Sequence, residues 1–210
     1  MVHDHGAGPP PDARPPRPEP GTWYVDPAHS CIIFVARYLG FGRVQGTFGD
    51  AWGTVDVAED PLASKVDATV RTDSLSTGVR ARDAHLRSPD LLDTAAYPEM
   101  RFTSTALEAR GRGRNAFRMY GDLTVHGTTR PLELDCQWGG EAPDLQDPEG
   151  VHAHFFAANG SITLSDFGIA DVGPSPWGAR VIGDTVDIVL EVRVQNADPT
   201  EWLRQIGHLQ

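Results

Sequence analysis

The chain has 210 residues, 18 of them basic and 29 acidic, for a formal net charge of −11. A pI near 5.0 argues against a nucleic-acid binder, whose phosphate contacts demand a basic face, and disfavours a permanent electrostatic grip on anionic lipid. No run approaches the roughly 18 uninterrupted apolar residues of a membrane-spanning helix.

Residues 1–21 read as a disordered tail. Seven of the 17 prolines fall in this stretch, and it has no apolar run. It cannot bury enough surface to offset its ordering entropy. His3 and His5 stand where a secretory signal would need a basic start and an apolar centre, so a cytoplasmic protein is expected.

Beyond the tail, period-2 alternation dominates, as in antiparallel strands with one buried face. Residues 65–71 are apolar at even positions, residues 117–125 at odd ones. The runs 131–138 and 186–194 repeat the pattern, with Val189 the one apolar residue on the polar face of the last. Asp60-Pro61, Gly111 to Gly113, Gly127 and Gly183-Asp184 read as turns between strands. Many short strands so spaced predict an all-β sandwich or barrel. Cys31 and Cys136 fall inside strand-like runs and read as packed, reduced thiols.

One segment breaks the rhythm. Residues 77–87 have no period of two and favour a short helix, and Ser88-Pro89-Asp90 opens a further turn carrying Leu91 and Leu92. Near the end, Asp198-Pro199-Thr200-Glu201 reads as a cap with proline at the first helical position. Trp202, Ile206 and Leu209 then make an apolar stripe, so a short helix on the outside of the barrel is expected.

Three patterns invite chemistry. His152-Ala153-His154 puts two imidazoles on one strand face, but Phe155 to Asn159 supplies no carboxylate, so exposed strand histidines are expected rather than a metal centre. Ser30 follows His29 directly, and neighbours on a strand face opposite ways, so they form no dyad by that adjacency. Asn159-Gly160 has the form of a tight hairpin turn.

The ordered series of motifs carries more weight than any one of them. It begins with Trp23-Tyr24-Val25-Asp26, His29-Ser30 and Phe34, followed by Gly46-Thr47-Phe48, Gly53 and residues 74–78. Arg82-Asp83-Ala84-His85-Leu86, Asp93, Tyr97 to Phe102 and Ser104-Thr105 come next. Residues 121–127, Arg130-Pro131 and Ser165 to Ile169 complete it. In this order they resemble the YceI-like family of lipocalin-like, polyisoprenoid-binding barrels. Two positions depart from the family pattern: Tyr38 stands in place of a histidine, and Thr163-Leu164 in place of an Asn-Arg pair.

The resemblance, which covers roughly residues 22–194, implies an antiparallel lipocalin-like β-barrel of about eight strands with a short helical insert, and the short C-terminal helix read from the cap at Asp198 lies outside it. The barrel would occupy residues 22–195, with residues 196–210 as a helical extension. It also implies that one strand runs straight through Asn159-Gly160. Its interior would hold a polyisoprenoid or similar long-chain lipid. Strand parity and the family's orientation together put Ile32, Phe34, Ala36, Phe48, Val66, Ala68, Val70 and Phe102 on the ligand. Leu75, Leu91 and Leu92 would seal the mouth. Arg82 and His85 are candidates for a headgroup, while the favoured reading of Arg82 and Asp83 is that they pin the insert to the rim through backbone hydrogen bonds.

No catalytic residue, metal or cofactor is expected, and the implied occupant is an isoprenoid lipid or a quinone. The resemblance leaves a homodimer open. Two other readings stand beside the carrier: a stress-related or partner-binding scaffold with a filled interior, and an enzyme acting on a lipid or small molecule.

Overall fold

Each alternating run becomes a strand whose apolar parity faces one enclosed space. In the computed structural model, which describes residues 18–111, 115–145, 147–169, 181–205 and 207, eleven strand segments form one antiparallel sheet. They are β1 (Gly21–Val25), β2 (Cys31–Tyr38), β3 (Gly42–Phe48), β4 (Ala51–Val57), β5 (Lys65–Arg71), β6 (Leu75–Ser76), β7 (Glu99–Ala109), β8 (Ala116–Val125), β9 (Thr128–Pro143), β10 (His152–Thr163) and β11 (Ile182–Gln195). Pairing of β1 with β11 closes the sheet on itself, giving a closed antiparallel barrel of eight strands with two short helices. Closure removes the exposed edges of an open sheet.

Eleven segments make eight strands because three chain paths bend, between β1 and β2, between β3 and β4, and between β5 and β6 at the turn Thr72–Ser74. Pro27 lacks the N–H that a ladder needs, so β1 and β2 are separated by a single 3-10 turn, Pro27–His29, capped by Asp26, whose Oδ1 accepts the Ala28 N–H at 3.0 Å. Below the bend β1 pairs with β4; above it β2 pairs with β3. The segments β3 and β4 bend in step across Gly49-Asp50.

Two turn-like pairs lie inside strands. Asn159-Gly160 lies inside β10, as the resemblance implied, paired with Val189 and Ile188. Gly183-Asp184, read from sequence as a turn, lies inside β11, where the register shifts between Ile182 and Val186. A glycine beside a polar residue marks a bulge as readily as a turn. Gly127 does turn the chain, joining β8 to β9 with positive φ at both His126 and Gly127. Of Gly111 to Gly113, the last two lie outside the described residues.

Helix α1 (Arg80–Arg87) is the insert, lying against β6. It is held by side chains rather than by its own cap. Asp83 accepts the Thr77 N–H at 2.9 Å, Arg82 donates to the Thr77 hydroxyl at 2.7 Å and carbonyl at 3.0 Å, and Arg87 donates to the carbonyls of Asp73 and Leu75. Helix α2 (Thr200–Gln205) buries Leu203 and lays Trp202 flat against His29, with ring centroids 6.1 Å apart. Ile206 and Leu209 of the expected stripe fall outside the described side chains, as do residues 1–17 of the tail.

Candidate functional site

The barrel is hollow. A cavity of about 870 Å³ runs inside the wall from the β4–β5 turn, at Leu62 and Ser64, to the start of β11 at Ile182. That volume falls in the range of pockets that enclose small organic ligands. Several interior residues that a filled core would bury, among them Ile32, Phe34, Val66, Ala68 and Val70, remain only half-buried because they face this space.

Glycines opposite aromatic side chains shape the bore. Gly46 pairs directly with Phe34, and a Cβ there would collide with the Phe34 ring. Gly121 lies under the ring of Phe102 in the same manner. Each ring therefore lies across a neighbouring strand that offers no side chain. Phe34 in turn leans on Phe48, with centroids 5.5 Å apart.

The eleven apolar residues named from sequence come together here. Ile32, Phe34, Ala36, Phe48, Val66, Ala68, Val70, Leu75, Leu91, Leu92 and Phe102 all line the cavity. At the helical end, buried Leu91 joins Val125, Phe167 and Ile169, with Leu86, Leu92 and Leu164 packed on them. Leu164 thus spends its side chain on the seal, at the position where the family pattern places a basic group.

The two polar candidates stand apart from that lining. The Arg82 guanidinium is committed to Thr77, and His85 is exposed on α1. Thr77 and the nearby Arg87 and Arg82 hold the Asp83 carboxyl below its usual range, the Thr77 hydroxyl acting most strongly. The cluster Arg82–Asp83 therefore ties down the insert, a job set by hydrogen bonds inside the chain.

The opposite end holds what the sequence reading missed. His154, expected on the surface, is 2% exposed. It pairs with Val194 across β10–β11, and Val194 lines the cavity, so His154 shares the inward face. The imidazole accepts the Trp138 indole N–H at 3.2 Å, meets Trp23 edge-on at 4.8 Å, and has Nε2 3.8 Å from Glu141. Burial, with a smaller push from His152, lowers its pKa to about 4. His152, the first residue of β10, is exposed, so of the two imidazoles only His154 is enclosed.

Outside the wall, next to the β1–β2 bend, a charge cluster gathers around the buried Arg193 and Asp26. Arg193 donates to Asp26, to Gln195 and, at 2.7 Å, to Asp144. Asp26 also accepts from His29 at 2.8 Å. The residues lie far apart in sequence, and alternation had put Arg193 on the solvent face. Among the described residues no group of three or more His, Cys, Asp or Glu could hold a metal ion, and no helix is long and apolar enough to cross a membrane.

Comparison with known proteins agrees with this architecture. The chain is similar to the protein YceI of Escherichia coli, 37% identical over 166 residues that cover 78% of this chain and 80% of that one. It is similar to the YCEI protein of Campylobacter jejuni, whose crystal structure superposes with a TM-score of 0.64 at 27% identity, over 77% of this chain and 90% of that one. A polyisoprenoid binding domain from Saccharophagus degradans, implicated in plant cell wall breakdown, shares the fold at a TM-score of 0.57 and 16% identity, over 82% of this chain and 97% of that one. The family model of the YceI-like domain matches residues 23–194, and the chain therefore belongs to the YceI-like family.

Proposed function

We propose that the barrel binds a polyisoprenoid or similar long-chain lipid in its interior, and stores or carries it without chemistry. One observation carries this reading: a hollow of about 870 Å³ bounded almost wholly by hydrocarbon side chains. An apolar chain entering it gains on the order of 0.8 kcal/mol per methylene buried, of which ordering and association costs remove a large part. The Saccharophagus degradans domain of the same fold, described as polyisoprenoid-binding, supports the choice of ligand class. The eleven apolar residues that line the cavity would hold the tail.

The wall favours an uncharged headgroup. Arg101 borders the cavity, but its guanidinium turns out to Glu99 at 2.7 Å. Asp184 accepts from the Ser165 hydroxyl at 2.7 Å and backbone N–H at 3.0 Å. Among the described residues of the lining, Arg101 is the one cation and is already paired, so a phosphate drawn into this space would lose its water without gaining a matched cation from them, a cost of several kcal/mol. A prenol or a quinone meets no such cost.

The test is native mass spectrometry of protein purified from its own host, followed by organic extraction. A stoichiometric neutral lipid of isoprenoid mass supports the carrier. A clean unliganded mass, unchanged after incubation with prenols and quinones, would overturn it in favour of a scaffold. Tight uptake of prenyl phosphates in preference to prenols would overturn the headgroup assignment alone.

A further inference from the structure

Among the described residues the two ends of the hollow differ. At the helical end Leu75 and Leu91 are buried, and Leu91 packs with Val125 and Ile169. At the β4–β5 turn Leu62 borders the cavity and is 44% exposed. This turn is fixed by its own bonds: Asp60 accepts the Leu62 N–H at 3.1 Å, and the Ser64 N–H donates to the Pro61 carbonyl at 3.3 Å. Ser64 stands just before β5, at the same parity as Val66, Ala68 and Val70. All four line the hollow, so the Ser64 side chain faces inward as theirs do. It is 9% exposed.

The other polar side chains of the described lining are spent inside the chain. Arg101 pairs with Glu99 at 2.7 Å, Asp184 accepts from the Ser165 hydroxyl, and the Trp138 indole N–H goes to His154. The Cys136 thiol donates to the Leu134 carbonyl at 3.6 Å, and the Ser30 hydroxyl to the Arg193 carbonyl at 3.4 Å. Ser64 is the exception. Its Oγ accepts the Ala58 N–H at 3.1 Å, and its own proton meets no acceptor among the described residues. An enclosed donor left without an acceptor is costly, and folded proteins keep few of them.

We propose that Ser64 reads the headgroup of the lipid. Its hydroxyl donates to a carbonyl oxygen, of the kind a prenylated quinone carries, and the tail runs inward along Val66, Ala68 and Val70 toward Leu91. This rests on the carrier reading and adds to it an orientation and a selecting residue. The bond from Ala58 holds Oγ in place before any ligand arrives, so little further ordering is needed. A carbonyl supplies the missing acceptor. A prenyl hydrocarbon fills the same space and leaves the proton bare, which is how a site built around a hydrogen bond rejects the analogue that lacks it.

The test is competition between a prenyl-tailed benzoquinone and squalene for the full chain, read by native mass spectrometry. The wild-type chain should prefer the quinone, and Ser64→Ala should cut that preference about fivefold with squalene affinity unchanged. Ser104→Ala is the control. Ser104 is equally buried and accepts the Val66 N–H at 2.8 Å, but it is not among the residues lining the hollow. Its loss should lower the melting temperature and leave the preference intact. An infrared spectrum of the wild-type complex needs no variant: the bound quinone should show a carbonyl stretch below its position in hydrocarbon solvent. Equal loss of both ligands in Ser64→Ala, an unchanged preference, or an unshifted carbonyl band would overturn the assignment of Ser64 alone. Binding of neither ligand by the wild-type chain would overturn the carrier reading, and this assignment with it.

Discussion

The indole N–H of Trp138 donates to Nδ1 of His154 at 3.2 Å, which places the single proton of the neutral imidazole on Nε2. Adding a second proton means both charging a buried ring and giving up the Trp138 bond. The pKa of about 4 has the first of these as its main cause. In the unfolded chain the same histidine titrates near 6.5. Between those values the unfolded state takes up a proton that the native state refuses, so stability falls as pH drops through this window. It is level with respect to His154 above about pH 6.5. The expected loss is on the order of 3 kcal/mol. Urea unfolding at about pH 7 and about pH 4.5 should show it, and His154→Gln should flatten the difference. An unchanged slope in that variant would mean that other groups cause the acid sensitivity.

Ala68 tests the bore. It lines the cavity midway along β5, between Val66 and Val70. Ala68→Trp should abolish prenol binding while leaving the melting temperature equal or higher, because the indole occupies existing space. Isothermal titration and a thermal melt on the same sample decide it. Undiminished affinity would show that Ala68 is not in contact with the ligand.

Arg193 joins buried Asp26 and Gln195 and half-buried Asp144 in one cluster. Arg193→Met leaves the carboxylate of Asp26, 1% exposed, without its main partner. Breaking a buried pair from one side costs about 3–5 kcal/mol. Adding Asp26→Asn to that variant should restore part of the loss, since the orphaned charge goes with it. Denaturant midpoints of the two variants measure the recovery.

Cys136 lines the cavity and its thiol is pushed up to about 12, by burial first and then by the neighbouring Asp135 carboxylate. Thiolate is the reactive form, so Cys136 should resist Ellman's reagent in the folded protein and react on unfolding. Half-buried Cys31 should label earlier. Fast stoichiometric labelling of Cys136 in native buffer would contradict the enclosed wall.

The wall was legible because alternation is a local signal. Lys65 to Arg71 states its inward face by parity alone, and that parity holds in β5. Parity could say which residues face inward, but not whether they meet, and the half-buried state of Val66, Ala68 and Val70 appears only once the barrel is closed. The buried features were hidden for a different reason. Arg193 obeys the alternation of β11 and points away from the bore, yet a loop carrying Asp144 and a bend carrying Asp26 cover it from outside. Those two carboxylates lie 167 and 49 positions away in the chain, a separation that no periodicity reports. His154 was misplaced because a two-histidine spacing looks the same whether the strand end is open or plugged by tryptophans. Gly183-Asp184 failed as a turn because a bulge uses the same residues.

Phe34 lying across Gly46, and Phe102 across Gly121, means that the gauge of the interior is written in pairs of residues rather than in the number of strands. Giving one of these glycines a methyl would press on its ring and also on a backbone carbonyl of a neighbouring strand, that of Ser76 at Gly46 and that of Thr103 at Gly121, so the wall itself would have to shift. Trimming the ring instead would widen the passage with the ladder left as it is. A barrel built this way can enlarge the girth of what it admits through one substitution at a time, but resists narrowing by the same positions.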